Sequence, residues 1–142
     1  MRMNDACTVR ARMDCLGQAI AFVESFCAGR GVARADLLRL SLVVEELFTN
    51  TVEHGHGGDS DAPVRIALAA DADELELAYD DTAPPFDPVA QAARLGAEIE
   101  GDASARQVGR LGIALVAGVA ARIGYAHEDG WNRVRVVLRR EG

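Results

Sequence analysis

Hydrophobic positions along this chain recur with two periods, and the switches between them outline the elements. Val9 and Ala11 alternate with Arg10 and Arg12, which predicts a first strand from Thr8 to Met13. From Asp14, read as an N-cap, apolar residues return at Leu16, Ile20, Val23 and Phe26. That is the spacing of a helix stripe, and Gly29 and Gly31 mark its end. A second helix is predicted from near Asp36, with Leu37, Leu40, Val43, Val44, Leu47, Phe48 and Thr51 turned inward and a stop at Gly55, Gly57 and Gly58. The period then falls to two. Val64, Ile66 and Leu68 face Leu75, Leu77 and Tyr79 across the turn Asp71-Ala72-Asp73, an antiparallel hairpin. Pro84, Pro85 and Pro88 exclude regular structure, and the pattern that follows is indistinct, with a short helix predicted around Val89 to Leu95. A further helix is predicted from about Gly109 to Ile123. Two closing strands flank Asp129-Gly130, the last turning Val134, Val136 and Leu138 inward.

No repeat or low-complexity linker divides these elements, so residues 1–142 read as one domain. Helices on one side of a mostly antiparallel sheet make an α+β two-layer sandwich. Composition narrows the functional classes. A net charge of −7 with no basic block beyond Arg139-Arg140 disfavours direct nucleic-acid binding and adhesion to an anionic membrane. The amino-terminal residues lack a signal-peptide apolar run, and no stretch has the ~18 continuous apolar residues of a membrane span. Cys7, Cys15 and Cys27 form no Cys-x-x-Cys pair and read as reduced thiols, so the expected location is the cytoplasm.

Three stretches can carry chemistry. Glu46, Asn50 and His54 are four apart and project from one side of the second helix, beside its apolar stripe. There a carboxylate can accept a proton from a hydroxyl and an amide oxygen can ligate Mg²⁺, although the same spacing also suits a solvated helix face. Asp81, leaving a strand into the proline-stiffened segment Thr82-Ala83-Pro84-Pro85-Phe86, can accept a hydrogen bond from an exocyclic amine, or simply form an acidic turn. Gly109-Arg110-Leu111-Gly112 at a helix start allows backbone N–H groups to approach an anion, or close packing. A metal cluster of Glu53, His54, His56, Asp59 and Asp61 is a poor alternative, because zinc wants more nitrogen or sulfur ligands than two histidines supply.

The order and spacing of the three stretches resemble the Bergerat-fold, histidine-kinase-like ATPases. Glu46-x-x-x-Asn50-x-x-x-His54 is similar to their N box. Asp81-Thr82-Ala83-Pro84-Pro85-Phe86-Asp87-Pro88 is similar to their first glycine box, and Gly109-x-Leu111-Gly112 to the second. Within that superfamily the chain most resembles the anti-sigma factor serine/threonine kinases. The resemblance implies that Glu46 is the general base and that Asn50 holds Mg²⁺ on ATP. It places His54 near the phosphates, Asp81 on the adenine amine and Ala83 under the ring. Gly109, Leu111 and Gly112 would form the phosphate loop, and residues 88–108 the lid over it. It further implies a partner switch, with an anti-anti-sigma protein as substrate, a sigma factor as target, and a homodimer as a common assembly. A histidine kinase is disfavoured because His54, His56 and His127 are the only histidines. The alternative is a non-catalytic module on the same fold that sequesters a partner, with or without nucleotide. Ala83 in place of a glycine would crowd the base unless its φ stays negative, and Arg135 stands where relatives often carry a small hydroxyl residue near the base.

Overall fold

A computed structural model of the chain describes residues 3–87, 116 and 118–141. Strand β1 (Met3–Arg10) leads through a single 3₁₀ turn into α1 (Leu16–Gly29) and α2 (Arg34–Asn50), and a π-helical turn (Thr51–Gly55) continues α2. The hairpin β2 (Pro63–Ala70) and β3 (Glu74–Asp81) follows, and β4 (Arg122–Glu128) and β5 (Trp131–Arg139) close the chain. The five strands lie in the order β1-β2-β3-β5-β4, and every neighbouring pair is antiparallel.

The predicted periods explain the two layers. Val64, Ile66, Leu68, Leu75, Leu77 and Tyr79 turn one face of the sheet into a continuous apolar floor. Val23 and Phe26 of α1 and Leu40, Val43, Val44, Leu47 and Phe48 of α2 fill the space above it, all nearly or completely buried. Each large side chain removed from water in this way stabilises the fold by about 1.5–3 kcal/mol. The Asp129-Gly130 turn has φ of 54° and 81°, the left-handed pair of a two-residue hairpin whose twist matches its strands. Cys7, Cys15 and Cys27 are free thiols. Among the described residues no helix is long and apolar enough to cross a membrane.

Several predicted boundaries move. The first strand occupies Met3–Arg10 rather than Thr8–Met13, because it pairs along the whole of β2, from Met3 opposite Ala70 to Arg10 opposite Pro63. Ala11, fully buried, extends the contact past the strand by two bonds, from its N–H to the Ala62 carbonyl and from the Ser60 N–H to its own carbonyl. Asp14 is not a helix cap. It sits inside the 3₁₀ turn beside Arg12, and the Met13 N–H at the turn's start is instead accepted by Asp59, 2.8 Å away on the loop before β2. The second helix starts at Arg34, two residues before Asp36. Asp36, completely buried in its first turn, accepts hydrogen bonds from Arg39 and from the Glu141 backbone, anchoring the last residues to the helix. The predicted last helix does not reach Ile123. Val116, Gly118 and Val119 are helical, but β4 has begun by Arg122. The predicted helix at Val89 to Leu95, the lid at 88–108 and the residues Gly109, Leu111 and Gly112 lie outside the described residues.

Candidate functional site

Where α2 runs out over the ends of β3 and β5, a cavity opens between helix and sheet. Its walls include Asn50, Thr51 and His54 from the helical side, Asp81 and Ala83 at the exit of β3, and Asn132 from β5. Leu47, Tyr79, Val134 and Phe86 make the rest of the lining largely apolar. An apolar cleft with a few convergent polar groups is the usual form of a small-molecule site.

Asp81 organises the polar part. Its carboxylate, 8% exposed, accepts from the Thr51 hydroxyl at 2.8 Å through one oxygen. The other oxygen accepts from the Ala83 N–H at 3.0 Å and the Asn132 amide at 2.9 Å. A carboxylate offers about four lone pairs, so one acceptor position remains for a donor entering the cavity. The Thr51 hydroxyl also meets the Tyr79 hydroxyl at 2.7 Å and lies 3.0 Å from the Leu47 carbonyl. Burial, reinforced by the negative charge of Asp81, holds the Tyr79 phenol well above its ordinary 10.0.

Asn132 ties the loop after β3 to the last strand. Its amide nitrogen donates to the Ala83 and Pro84 carbonyls as well as to Asp81, and its oxygen accepts from the Tyr125 hydroxyl and the Phe86 N–H. One side chain thereby partners the Ala83 and Pro84 carbonyls and shares the Phe86 N–H with the Tyr125 hydroxyl, which holds the cavity rim in place.

The helical wall departs from the spacing read in the sequence. After Asn50 the helix widens, and the His56 N–H bonds five residues back to the Thr51 carbonyl at 2.9 Å. Such π turns recur at functional sites. The widened turn follows Asn50, so it changes the pitch between Asn50 and His54 and leaves Glu46 and Asn50 one regular turn apart on α2. Asn50 and the exposed His54 line the cavity, whereas Glu46, one turn earlier and half-buried, does not. The Asn50 amide nitrogen is held by the Glu46 carbonyl at 3.0 Å, so its oxygen is the atom available to the cavity. Desolvation, followed by the neighbouring charge of Glu45, raises the Glu46 carboxyl above its ordinary 4.5.

Ala83 is 4% exposed and does not have a positive φ, Asp129 being the only non-glycine residue that does among the described residues. Its methyl is therefore unstrained. Arg135 is not near the cavity. It lies on the opposite face of the sheet, bonded to Asp80 at 2.8 Å, and the β5 residues facing the site are Asn132 and Val134.

The structure thus brings together Asn50, His54, Asp81 and Ala83, leaves Glu46 at the margin, and adds Thr51, Tyr79, Asn132 and Tyr125, which sequence reasoning did not select. Two signals could have found them. Thr51 is a hydroxyl on a buried stripe, and Asn132 occupies an inward position of the alternation that continues through Val134, Val136 and Leu138. Each is a polar group that folding must satisfy.

Residues 9–138 match the histidine kinase-like ATPase domain, and the chain belongs to that family. Among curated proteins it is similar to the serine-protein kinase RsbW of Listeria monocytogenes serotype 4a and of Listeria innocua serovar 6a, 26% identical to each over 92 residues. The matched segment spans 64% of this chain and 59% of those proteins. Among solved structures it resembles the RsbU and RsbW domains of Rv1364c from Mycobacterium tuberculosis, with a TM-score of 0.66 at 16% identity over 97% of this chain and 32% of that one. That likeness shows the α+β fold, and the family agrees with the resemblance carried by the three boxes.

Proposed function

We propose that this chain is an ATP-binding protein serine/threonine kinase of the anti-sigma type, acting on an anti-anti-sigma protein and holding a sigma factor or similar target. The observation that supports it most is the Asp81 carboxylate at the base of an apolar cavity, fixed by three donors with one acceptor position open. That geometry fits the exocyclic amine of adenine, and the apolar lining fits the ring. Asn50 offers an amide oxygen suited to Mg²⁺, with His54 beside it.

In this reading ATP with Mg²⁺ supplies the phosphoryl group and neutralises its charge. The chain's residues bind and orient. Asp81 selects the amine, Ala83 lies under the ring, and Asn50 holds the metal. Glu46, its carboxyl raised by burial and by Glu45, takes the proton of the attacking hydroxyl when ionised. Gly109, Leu111 and Gly112 hold the phosphates.

Titration with ATP and ADP, with and without Mg²⁺, tests this. Binding should be lost in Asp81→Ala, and its Mg²⁺-dependent part in Asn50→Ala. A well-folded protein that binds neither nucleotide would end the reading. The position of Glu46 off the cavity lining favours a second reading, a nucleotide-binding module that sequesters a partner without phosphorylating it. Nucleotide binding without transfer of radiolabelled phosphate to any co-purified partner would select it.

A further inference from the structure

The face of the sheet turned away from the helices is uncovered by any described element, and its side chains are ordered by register. One row across adjacent strands reads Thr8, Arg65, Asp80, Arg133. The next row reads Ala6, Ala67, Ala78, Arg135. Three alanines on three neighbouring strands leave a shallow trough about 10 Å wide, walled on one side by the charged row.

The charges in that wall are unbalanced. Asp80 lies directly between Arg65 and Arg133 in the register, and it bonds Arg135. Within these two rows Asp80 is the one carboxylate beside three arginines, with Glu76 and Glu128 further along the same face. Arg133 forms no ion pair, and its buried Nε has no hydrogen-bond partner among the described residues. The Arg65 guanidinium lies 3.7 Å above the Trp131 ring and has no ion pair among the described residues. A cationic patch of this kind is conspicuous on a chain of net charge −7.

We infer that this trough is a docking surface for an acidic segment of a partner protein, with carboxylates of the segment meeting Arg65 and Arg133 and its backbone lying over the alanines. Unpaired guanidiniums suit carboxylates through two-pronged hydrogen bonds. A floor of methyl groups allows a chain to approach closely. A nucleic acid fits less well. Trp131, the only aromatic ring on this face among the described residues, is already covered by Arg65 and leaves no open platform for stacked bases. The surface lies on the opposite side of the sheet from the cavity and stands independently of the nucleotide reading.

Trp131 is the only tryptophan, so its fluorescence reports on this face alone. The full chain should be titrated with a short polyglutamate at low salt, and again at several salt concentrations. The expected result is a saturable change in emission that weakens with salt, with affinity about tenfold lower in Arg133→Ala, the size of one lost charge-assisted bond. Arg34→Ala, an equal charge change on the helical layer, should leave the affinity unchanged. Asp80→Asn, which removes the central carboxylate, should tighten binding several-fold and keeps the test open if Arg133→Ala fails to fold. No saturable change, or equal losses in Arg133→Ala and Arg34→Ala, would overturn the assignment. Tighter binding of a single-stranded oligonucleotide of matched charge would also overturn it and make the face a nucleic-acid surface.

Discussion

The methyl group of Ala83 occupies the space that a side chain on Gly55 would need: a Cβ at Gly55 would lie 2.7 Å from the Ala83 Cβ, closer than real carbon atoms approach. The two backbones meet with one methyl between them, which lets Ala83 line the site without moving the helix.

This relationship predicts a pairwise effect. Gly55→Ala alone should overpack the contact and cost about 1–3 kcal/mol of stability. Ala83→Gly alone should cost about 0.5–1 kcal/mol, mainly through a more flexible unfolded chain. The double variant should recover most of the Gly55→Ala loss. Urea denaturation of the four proteins measures the coupling, and strictly additive losses would show that the contact relaxes elsewhere.

Asn132→Leu should be costly out of proportion to its size. It removes the donor shared by Asp81, Ala83 and Pro84 and the acceptor of Tyr125 and Phe86, leaving buried groups unpaired at about 1–3 kcal/mol. Asp81 then loses one of its three orienting partners, so ATP affinity should fall about tenfold. Denaturation and nucleotide titration of the same preparation separate the two effects. Unchanged affinity in a destabilised but folded variant would show that Asn132 supports the fold alone.

The carboxyl of Glu46 predicts the acid side of kinase activity. A general base must be ionised, so phosphate transfer should fall as pH drops towards a midpoint above 4.5. Glu45 contributes to the raised value, and Glu45→Gln removes that repulsion, making Glu46 easier to ionise. The acid limb should therefore move to lower pH in Glu45→Gln. Glu46→Gln should lower transfer by about 10²–10⁴-fold with ATP affinity retained. Rate profiles of the three proteins against pH decide it. A limb that ignores Glu45→Gln would assign the titration to another group.

Tyr79 predicts an alkaline loss of stability. Its phenol is raised in the folded protein, so the folded state holds that proton more tightly than the unfolded chain does. The contribution is fully present below 10.0 and is lost as pH rises from there towards the folded value. Tyr79→Phe should cost about 1 kcal/mol near neutrality, through the lost bond to Thr51, but should flatten the decline above pH 10. The chain contains no lysine, which leaves few other groups to obscure the effect. Thermal melts of both proteins between neutral and strongly alkaline pH provide the comparison.

Much of this architecture was legible in one dimension. The apolar stripe from Leu37 to Phe48, the alternation through Val64 to Leu68 and Leu75 to Tyr79, and the Asp129-Gly130 turn follow from near-neighbour geometry, because a helix repeats every 3.6 residues and a strand every two. The family was legible differently, through the resemblance of the Glu46, Asn50 and His54 stretch, the segment after Asp81 and the Gly109 to Gly112 stretch to known boxes. The limits of β1 were less legible, since Asn4 and Asp5 carry no apolar signal and it is β2 that draws Met3 to Cys7 into the sheet.

What the residue order determined by itself, then, is the set of elements, their inward faces and the family boxes they carry. Tertiary structure alone decided which groups meet. Thr51 reaches Asp81 across 30 residues and Asn132 across 51. Arg135 falls on the far face of the sheet and Asn132 on the near one because adjacent ladder registers put them there. A shift of one residue in β5 would exchange those faces, and no local pattern encodes that register. The widening of the helix after Asn50 belongs with these. It sets how the chain runs from Asn50 past His54 along the cavity wall, through a hydrogen bond to the fifth residue back that no spacing of side chains announces.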